Sequence, residues 1–364
     1  MIPFIDLTRQ HAALRAELLA AAARVLDSSQ FILGGEGKAL ESELAALCGV
    51  RHGIGVASGT DALRLTIAAL DVGPGDEVIT PALSFVASAT TIVMAGATPV
   101  FVDVDPRTYA LDVAAAARAI TPRTRAIMPV HLYGQCAAMD EINAIARRHD
   151  IPVVEDAAQA VGGAWAERPI GAWGDAACLS FYPTKNLGAC GDGGMVLTNR
   201  QDVAERLTKL RHHGDSGRYQ HEELGFCSRL DEMQAAVLRV KLARLPAWTQ
   251  ARRRIAARYR ALLAGASLTL PTEAAPARHV FHLFTVRHPQ RDALAKALTD
   301  RGIGTGVYYP RPVPAQPVFG LDDRRWPEAA RAAREVLSLP CFAELSDEEV
   351  EQTAAAVRSA CEGL

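Results

Sequence analysis

The sequence predicts an α/β fold, with a large domain around a mostly parallel sheet and a smaller C-terminal α+β domain. Three features carry that prediction. Short runs rich in Val and Ile alternate with Ala- and Leu-rich helical stretches between about residues 55 and 200. The runs are too short and too uniformly apolar for strands with one wet face, and they suit strands covered by helices on both sides. Glycine- and proline-bearing turns separate them, and the texture changes after about Lys241.

In chain order the runs are 77–80, 98–103, 126–130, 153–156, 178–181 and 195–198. Val72-Gly73-Pro74-Gly75-Asp76 ends one helix and launches the first of them. Beyond Leu245-Pro246 comes an arginine-rich helix (Arg252, Arg253, Arg254, Arg258, Arg260), then proline-punctuated segments. A last helix over 346–358 opens with the capping box Ser346/Glu349. These shifts place a large domain with an N-terminal arm at 1–245 and a small domain at 246–364. The arginine run has an apolar face (Ala256, Ala257, Leu262) and only Tyr259 interleaved, so it is expected to be a solvated helix face rather than a nucleic-acid patch.

Composition bounds the function. At 364 residues the chain has room for two domains of ordinary size, and with 49% apolar and 22% charged residues it is neither disordered nor of low complexity. Its 39 basic and 41 acidic residues nearly cancel, so no global field exists to hold nucleic acid or an anionic membrane. Seven scattered cysteines with no C-x-x-C support neither a disulfide framework nor a zinc ribbon, which points to a cytoplasmic location. The N-terminus lacks the uninterrupted apolar core of a secretory signal. The uncharged stretch 81–102 is long enough for a bilayer, but its Ser, Thr, Gly and Pro residues fit a buried helix, turn and strand. No H-E-x-x-H occurs among the ten histidines, and no metal is expected.

Five residues are lysines: Lys38, Lys185, Lys209, Lys241 and Lys296. Four lie in helical patterns, where a lysine is expected to face solvent. Lys185 instead follows the buried run 178–181 and precedes the glycine-rich segment 188–194. In the crevice at the carboxyl ends of strands, desolvation lowers a lysine's pKa and frees its amine to attack a carbonyl. A loop lysine paired with Asp192 is the ordinary alternative. Glu155 and Asp156 end the run 153–156, so at least one acid points into the same crevice. A buried carboxylate needs a cationic partner, and the pyridine nitrogen of pyridoxal phosphate would serve; a metal ligand or a helix cap fits equally well.

Ala57-Ser58-Gly59-Thr60-Asp61 runs straight into a helix and offers N–H groups and hydroxyls to a phosphate monoester, or merely caps that helix. Phe85 follows another strand end and is either a platform for a planar ring or plain core. The turn 34–39 is no P-loop, because Ile32 and Ala39 stand where Gly and Ser/Thr are required. Together these segments supply an amine, an acid, an anion cradle and a ring platform, which is every part that pyridoxal phosphate requires.

The order and spelling of these motifs resemble the DegT/DnrJ/StrS sugar aminotransferases, pyridoxal phosphate enzymes of the aspartate aminotransferase fold (fold type I). The likeness runs from Ile5-Asp6-Leu7 to Pro340 and is densest in SGTDAL (58–63), GDEVITPALSF (75–85), EDAAQAVG (155–162), SFYPTKNLGACGDGG (180–194) and SRLDEMQAAVL (228–238). It implies that Lys185 bonds to the cofactor and then shuttles protons, that Asp156 pairs with the pyridine nitrogen and that Gln159 hydrogen-bonds the phenolic oxygen. Gly59, Thr60 and Ser180 would hold the phosphate, and Phe85 would stack on the ring. It also implies a homodimer with shared active sites, the segment 213–229 reaching the partner's cofactor. The implied donor is L-glutamate and the implied acceptor a UDP- or dTDP-linked 3-keto hexose. A 4-keto sugar, a cyclitol and a regulatory role are the alternatives.

Two departures stand out. Cys227 occupies the place of an asparagine that relatives offer to the neighbour's phosphate, leaving Ser228 or a water to make that contact. Where relatives often have His-Tyr-Pro-x-Pro-x-His, this chain has Tyr308-Tyr309-Pro310-Arg311-Pro312-Val313-Pro314, with neither histidine. Tyr308 and Tyr309 are expected to line the sugar pocket. Arg229 is a candidate for a substrate carboxylate or for a structural ion pair at the interface.

Overall fold

In the computed structural model, which describes all 364 residues, the strands are β1 (His52–Val56), β2 (Glu77–Pro81), β3 (Thr98–Val102), β4 (Thr124–Ile127), β5 (Val154–Asp156), β6 (Ala164–Trp165), β7 (Arg168–Pro169), β8 (Ala176–Ser180), β9 (Gly194–Thr198), β10 (Ala277–Arg278), β11 (Phe284–Arg287) and β12 (Val336–Leu339). β3-β2-β4 and β5-β8 pair in parallel, while β9 runs antiparallel to both β8 and β1. Parallel bridges Ile127↔Val153 and Val130↔Asp156 join the two groups. The main sheet is therefore ordered β3-β2-β4-β5-β8-β9-β1, and β9 alone is reversed. This is the expected mostly parallel sheet, with β1 as an addition. The sequence His52-Gly53-Ile54-Gly55-Val56 hides β1 because its glycines weaken the strand pattern. They are there for closeness: a Cβ at Gly53 would come 2.6 Å from the Glu41 carbonyl oxygen.

Helices sandwich this sheet. On one face α2 (Gly35–Leu47), α5 (Val113–Ala119) and α6 (Met139–Arg148) pack Leu40, Leu44, Ala116 and Ile142 against Ile79, Ile127, Val153 and Leu179. On the other, α3 (Gly59–Ala69), α4 (Ala87–Met94) and α7 (Gln201–Leu210) pack Leu63, Ile67, Ile92 and Leu207 against Val78, Ala126, Val154 and Cys178. Successive strand residues thus enter opposite cores, which is why the runs are apolar throughout rather than alternating. Each fully buried Leu or Ile contributes roughly 1.5–3 kcal/mol to holding the layers together.

The C-terminal part has its own core. There β11 pairs antiparallel with β12 under α9 (Leu245–Leu262), α10 (Arg291–Asp300) and α12 (Asp347–Glu362), around Tyr259, Phe284, Leu337 and Val357. The capping box of α12 is present, with Ser346 and Glu349 each accepting from the other's backbone N–H. Ile2, from the opposite end of the sequence, joins this core and bridges Ile303 in parallel. The arm then leads into α1 (Leu7–Ser28), which packs along α8 (Glu232–Leu242), with Ala21 and Val25 against Ala236. Another core, including Trp326 and Ala329 at α11 (Pro327–Glu335), seats the segment 307–336 on the edge of the main sheet against Leu83 and Phe101. No helix is long and apolar enough to cross a membrane.

Candidate active site

The site is assembled at the carboxyl ends of β5 and β8 and the start of α3. Ser58 caps α3, its Oγ accepting from the Asp61 N–H at 3.1 Å. Gly59 sits hard against β8, where a Cβ would lie 2.6 Å from Ser180 Cβ. Gly194 is as tight, since its Cβ would lie 2.3 Å from the Ser58 carbonyl oxygen. These glycines bring the positive end of α3, the Thr60 hydroxyl and the Ser180 hydroxyl onto one wall of a cavity of about 590 Å³.

The two acids ending β5 point to opposite faces. Asp156 enters the cavity, its Oδ2 accepting from Ser88 Oγ at 2.7 Å and its Oδ1 from the Ala158 N–H at 3.2 Å. Ser84 Oγ lies 2.8 Å from Ser88 Oγ and extends the chain of hydroxyls. Burial pushes the Asp156 carboxyl up, while those hydrogen bonds and the Lys185 charge pull it back. Glu155 faces away, accepting from the N–H groups of Gly171, Trp173 and Gly174 and lying 2.9 Å from His131 Nε2. His131 Nδ1 accepts from the Ala137 N–H at 3.1 Å, so its ring hydrogen sits on Nε2 and is donated to Glu155.

Lys185 lies in a loop closed by the Ala189 N–H donating to the Phe181 carbonyl at 2.8 Å. Gly188 packs so closely on Pro183 that a Cβ would sit 2.2 Å from its carbonyl oxygen. Burial holds the Lys185 amine down at about 8, and the Asp156 charge opposes the shift only in part. Asp192 shares the cavity, but Lys185 forms no ion pair with it. Lys241 corrects an expectation. It is fully buried rather than solvent-facing, with Nζ donating to the Gly188 carbonyl at 2.8 Å and to His11 Nε2 at 3.0 Å. Its amine braces the loop that carries Lys185.

The facing wall comes from the arm and the C-terminal part. Gln159 Oε1 accepts from the Tyr133 N–H at 2.7 Å, and Nε2 donates to the Tyr309 hydroxyl at 3.2 Å. Tyr308 stacks on Phe4 at 5.7 Å between ring centroids, and Tyr133 donates to its carbonyl. Phe85, half-exposed, tilts toward Tyr309. Arg252 and His282 complete this side, both buried. Arg252 corrects the expectation of a wholly solvated arginine face, for it is the member of that run that turns inward.

The cavity therefore brings together Gly59, Thr60, Phe85, Asp156, Gln159, Ser180, Lys185, Tyr308 and Tyr309. Arg229 is not among its lining residues. Its Nη2 donates to Cys227 Sγ at 2.8 Å, and its Nη1 lies 3.0 Å from His212 Nδ1. Ser228 is buried, donating to Asp61 Oδ2 at 2.8 Å and accepting from the Ala57 N–H at 3.2 Å. It is thus already committed and does not stand free to replace the missing asparagine. Sequence reasoning missed Ser88, Lys241, Arg252 and His282, none of which carries a local signal of its role.

Comparison with known proteins agrees with this geometry. Over its full length the chain is 48% identical to the UDP-N-acetyl-3-dehydro-alpha-D-glucosamine 3-aminotransferase of Acidithiobacillus ferrooxidans, covering 98% of that protein. It is 49% identical to a protein of Geobacillus stearothermophilus named "Pleiotropic regulatory protein", over 96% of this chain and 95% of that one. Among solved structures, S. venezuelae DesV in complex with a ketimine intermediate superposes with a TM-score of 0.97 at 46% identity, covering 99% of this chain and 98% of that chain. The profile of one family matches residues 12–358. The chain therefore belongs to the DegT/DnrJ/EryC1/StrS aminotransferase family.

Proposed function

We propose that this protein transfers an amino group from L-glutamate to a nucleotide-linked keto sugar, with pyridoxal phosphate as cofactor. The acceptor is a UDP- or dTDP-linked 3-keto hexose, in keeping with the activities named for its relatives. The observation that carries this reading is an unpaired buried lysine amine facing a buried carboxylate in one cavity.

The residues present fit the cofactor. Gly59 admits no side chain, which leaves the start of α3 open to a phosphate. Asp156 is a desolvated acid without a cationic partner at hydrogen-bond distance, suited to a ring nitrogen that carries a proton. Lys185 would hold the cofactor's aldehyde carbon, Asp156 its ring nitrogen and Gln159 Nε2 its phenolic oxygen. Gly59, Thr60 and Ser180 would hold its phosphate, and Phe85 would cover its ring. When bound, the cofactor supplies an electron sink that acidifies the carbon bearing the amino group.

The chain's own residues do the rest. Lys185 Nζ, kept low by burial, removes the proton from the donor's α-carbon and returns a proton to the sugar carbon in the second half of the cycle. Hydrogen bonds from Ser88 and Ala158 favour the ionised form of Asp156 against its burial and fix its orientation. The aromatic pair Phe4 and Tyr308 shields the acceptor side from water. The cavity lies where the two proposed domains, 1–245 and 246–364, meet, and we infer a homodimer in which 213–229 serves the neighbouring site.

Incubation with L-glutamate and either a 3-keto or a 4-keto nucleotide sugar tests this directly. Amino-sugar nucleotide and 2-oxoglutarate should form with the 3-keto acceptor. Product from the 4-keto acceptor alone would refute the regiochemistry. A regulatory protein, as one relative is named, would bind the cofactor yet release no 2-oxoglutarate.

A further inference from the structure

We propose that Arg252 and His282 form the docking corner for the donor amino acid, Arg252 taking its α-carboxylate and His282 Nε2 accepting from its amino group. The proposal rests on the transamination reading above and assigns the donor's anchor within it. Arg252, on α9, is only 6% exposed. Its Nη1 is committed, donating to the backbone carbonyls of Phe281 and His282 at 3.2 Å each and to that of Cys341. Nη2 and Nε make no hydrogen bond within the chain but keep accessible surface, and the residue lines the cavity. A buried guanidinium stays charged and demands an anion. The chain provides none at ion-pair distance: Glu344, whose charge reaches Arg252, accepts from Gln10 at 3.5 Å instead. The anion must come from the cavity.

His282 supplies the second point of contact. Asn186 Nδ2 donates to the Val280 carbonyl at 3.1 Å, which turns its Oδ1 toward His282 Nδ1, also at 3.1 Å. Nδ1 therefore carries the hydrogen, and Nε2 keeps a lone pair with no partner in the chain. The ring lines the same cavity as Lys185 and Arg252, and burial together with those two charges keeps it neutral. An anion receptor and a neutral acceptor side by side, next to the reactive amine, match a carboxylate and an amino group on one carbon. Simple amines lack the first of these, and no sugar carries both on one carbon. The corner thus selects α-amino acids.

The test compares L-glutamate with its α-amide, isoglutamine, in the donor half-reaction of the holoenzyme, followed by cofactor absorbance in single turnover. In the wild type kcat/KM should favour glutamate by about 100-fold or more. In Arg252→Gln that ratio should fall to within about threefold, because only the carboxylate contact is lost between the two donors. An unchanged ratio overturns the proposal, as does a collapse in Arg229→Gln instead. Arg252 also staples three carbonyls, so a misfolded variant is met by a second measurement: a crystal structure of the wild-type holoenzyme with 2-oxoglutarate. A carboxylate within hydrogen-bond reach of Arg252 Nη2 supports the corner, and one bound elsewhere in the cavity overturns it. A wild type that turns over no donor at all defeats the transamination reading itself, a result distinct from an intact enzyme with an insensitive ratio.

Discussion

The sheet wall of the cavity and the wall facing it are built in different ways. On the sheet wall, Ser58, Asp156 and Ser180 lie at strand ends or a helix start, and near neighbours contribute to holding them, as Asp61 does for Ser58 and Ala158 for Asp156, with Ser88 the one distant partner. On the facing wall every polar group is held from far away in sequence. Tyr309 is held by Gln159, His282 by Asn186, and Arg252 by residues as distant as Cys341. Local closure fixes most of the first wall wherever the α/β topology forms, so it suits a cofactor that must sit in one fixed place. The second wall depends on long-range partners and can be retuned by changing either one. Chemistry is held rigid on one side, and choice of substrate is left adjustable on the other.

The largest effect should come from the sheet wall. Lys185→Ala should lower transamination by at least about 10⁴-fold while the melting temperature falls little or rises, since it removes an unpaired amine from a buried site. Activity near wild type would end the assignment of Lys185. Asp156→Asn should follow, at about 10²–10³-fold, measured as kcat with unchanged circular dichroism. The amine's pH dependence sharpens the same side. Its pKa is lowered to about 8, so below that pH it is mostly protonated and above it free. The rate at which cofactor-free protein captures pyridoxal phosphate should therefore rise about tenfold per unit up to pH 8 and then level off; a rise that continues to pH 10 would mean an ordinary lysine.

Lys241 separates bracing from chemistry. Lys241→Met leaves the Gly188 carbonyl and His11 without their partner, at a cost of about 1–3 kcal/mol, and should lower the melting temperature by several degrees. The opposite pattern in the two lysines, stability lost at 241 and activity lost at 185, is the outcome to look for in calorimetry and assay together. The smallest effect belongs to the facing wall. Tyr309→Phe removes one hydrogen bond from Gln159 and should change kcat/KM for the sugar by about two- to tenfold, with the donor half-reaction less affected.

Much of the sheet wall is legible in the sequence because short-range chemistry spells it. The runs 77–80 and 98–103 appear as β2 and β3, and the acids after 153–154 end β5. β1 escapes because Gly53 and Gly55 answer to contacts with α2 and Leu230 rather than to strand propensity. Arg252 and Lys241 mislead for a related reason: each sits among charged helical neighbours, and only three-dimensional packing shows which of a row of cations turns inward. Ser228 looks free in a linear string, yet its partner Asp61 lies 167 positions upstream. The packing of Ile2 beside Ile303 has no local signature at all.

The lowered affinity of Lys185 for its proton has a practical side. At pH 7 about a tenth of such an amine is uncharged, against well under a thousandth of an ordinary lysine near 10.4. Of the other four, Lys241 is sealed away, Lys209 and Lys296 are tied to Glu222 and Asp300 at 2.6 Å, and Lys38 is exposed to solvent, where nothing desolvates its charge. A small aldehyde reagent applied to the cofactor-free protein at neutral pH, followed by reduction, should therefore mark Lys185 ahead of the other four lysines. That selectivity offers a covalent tag for counting competent sites without any substrate in hand.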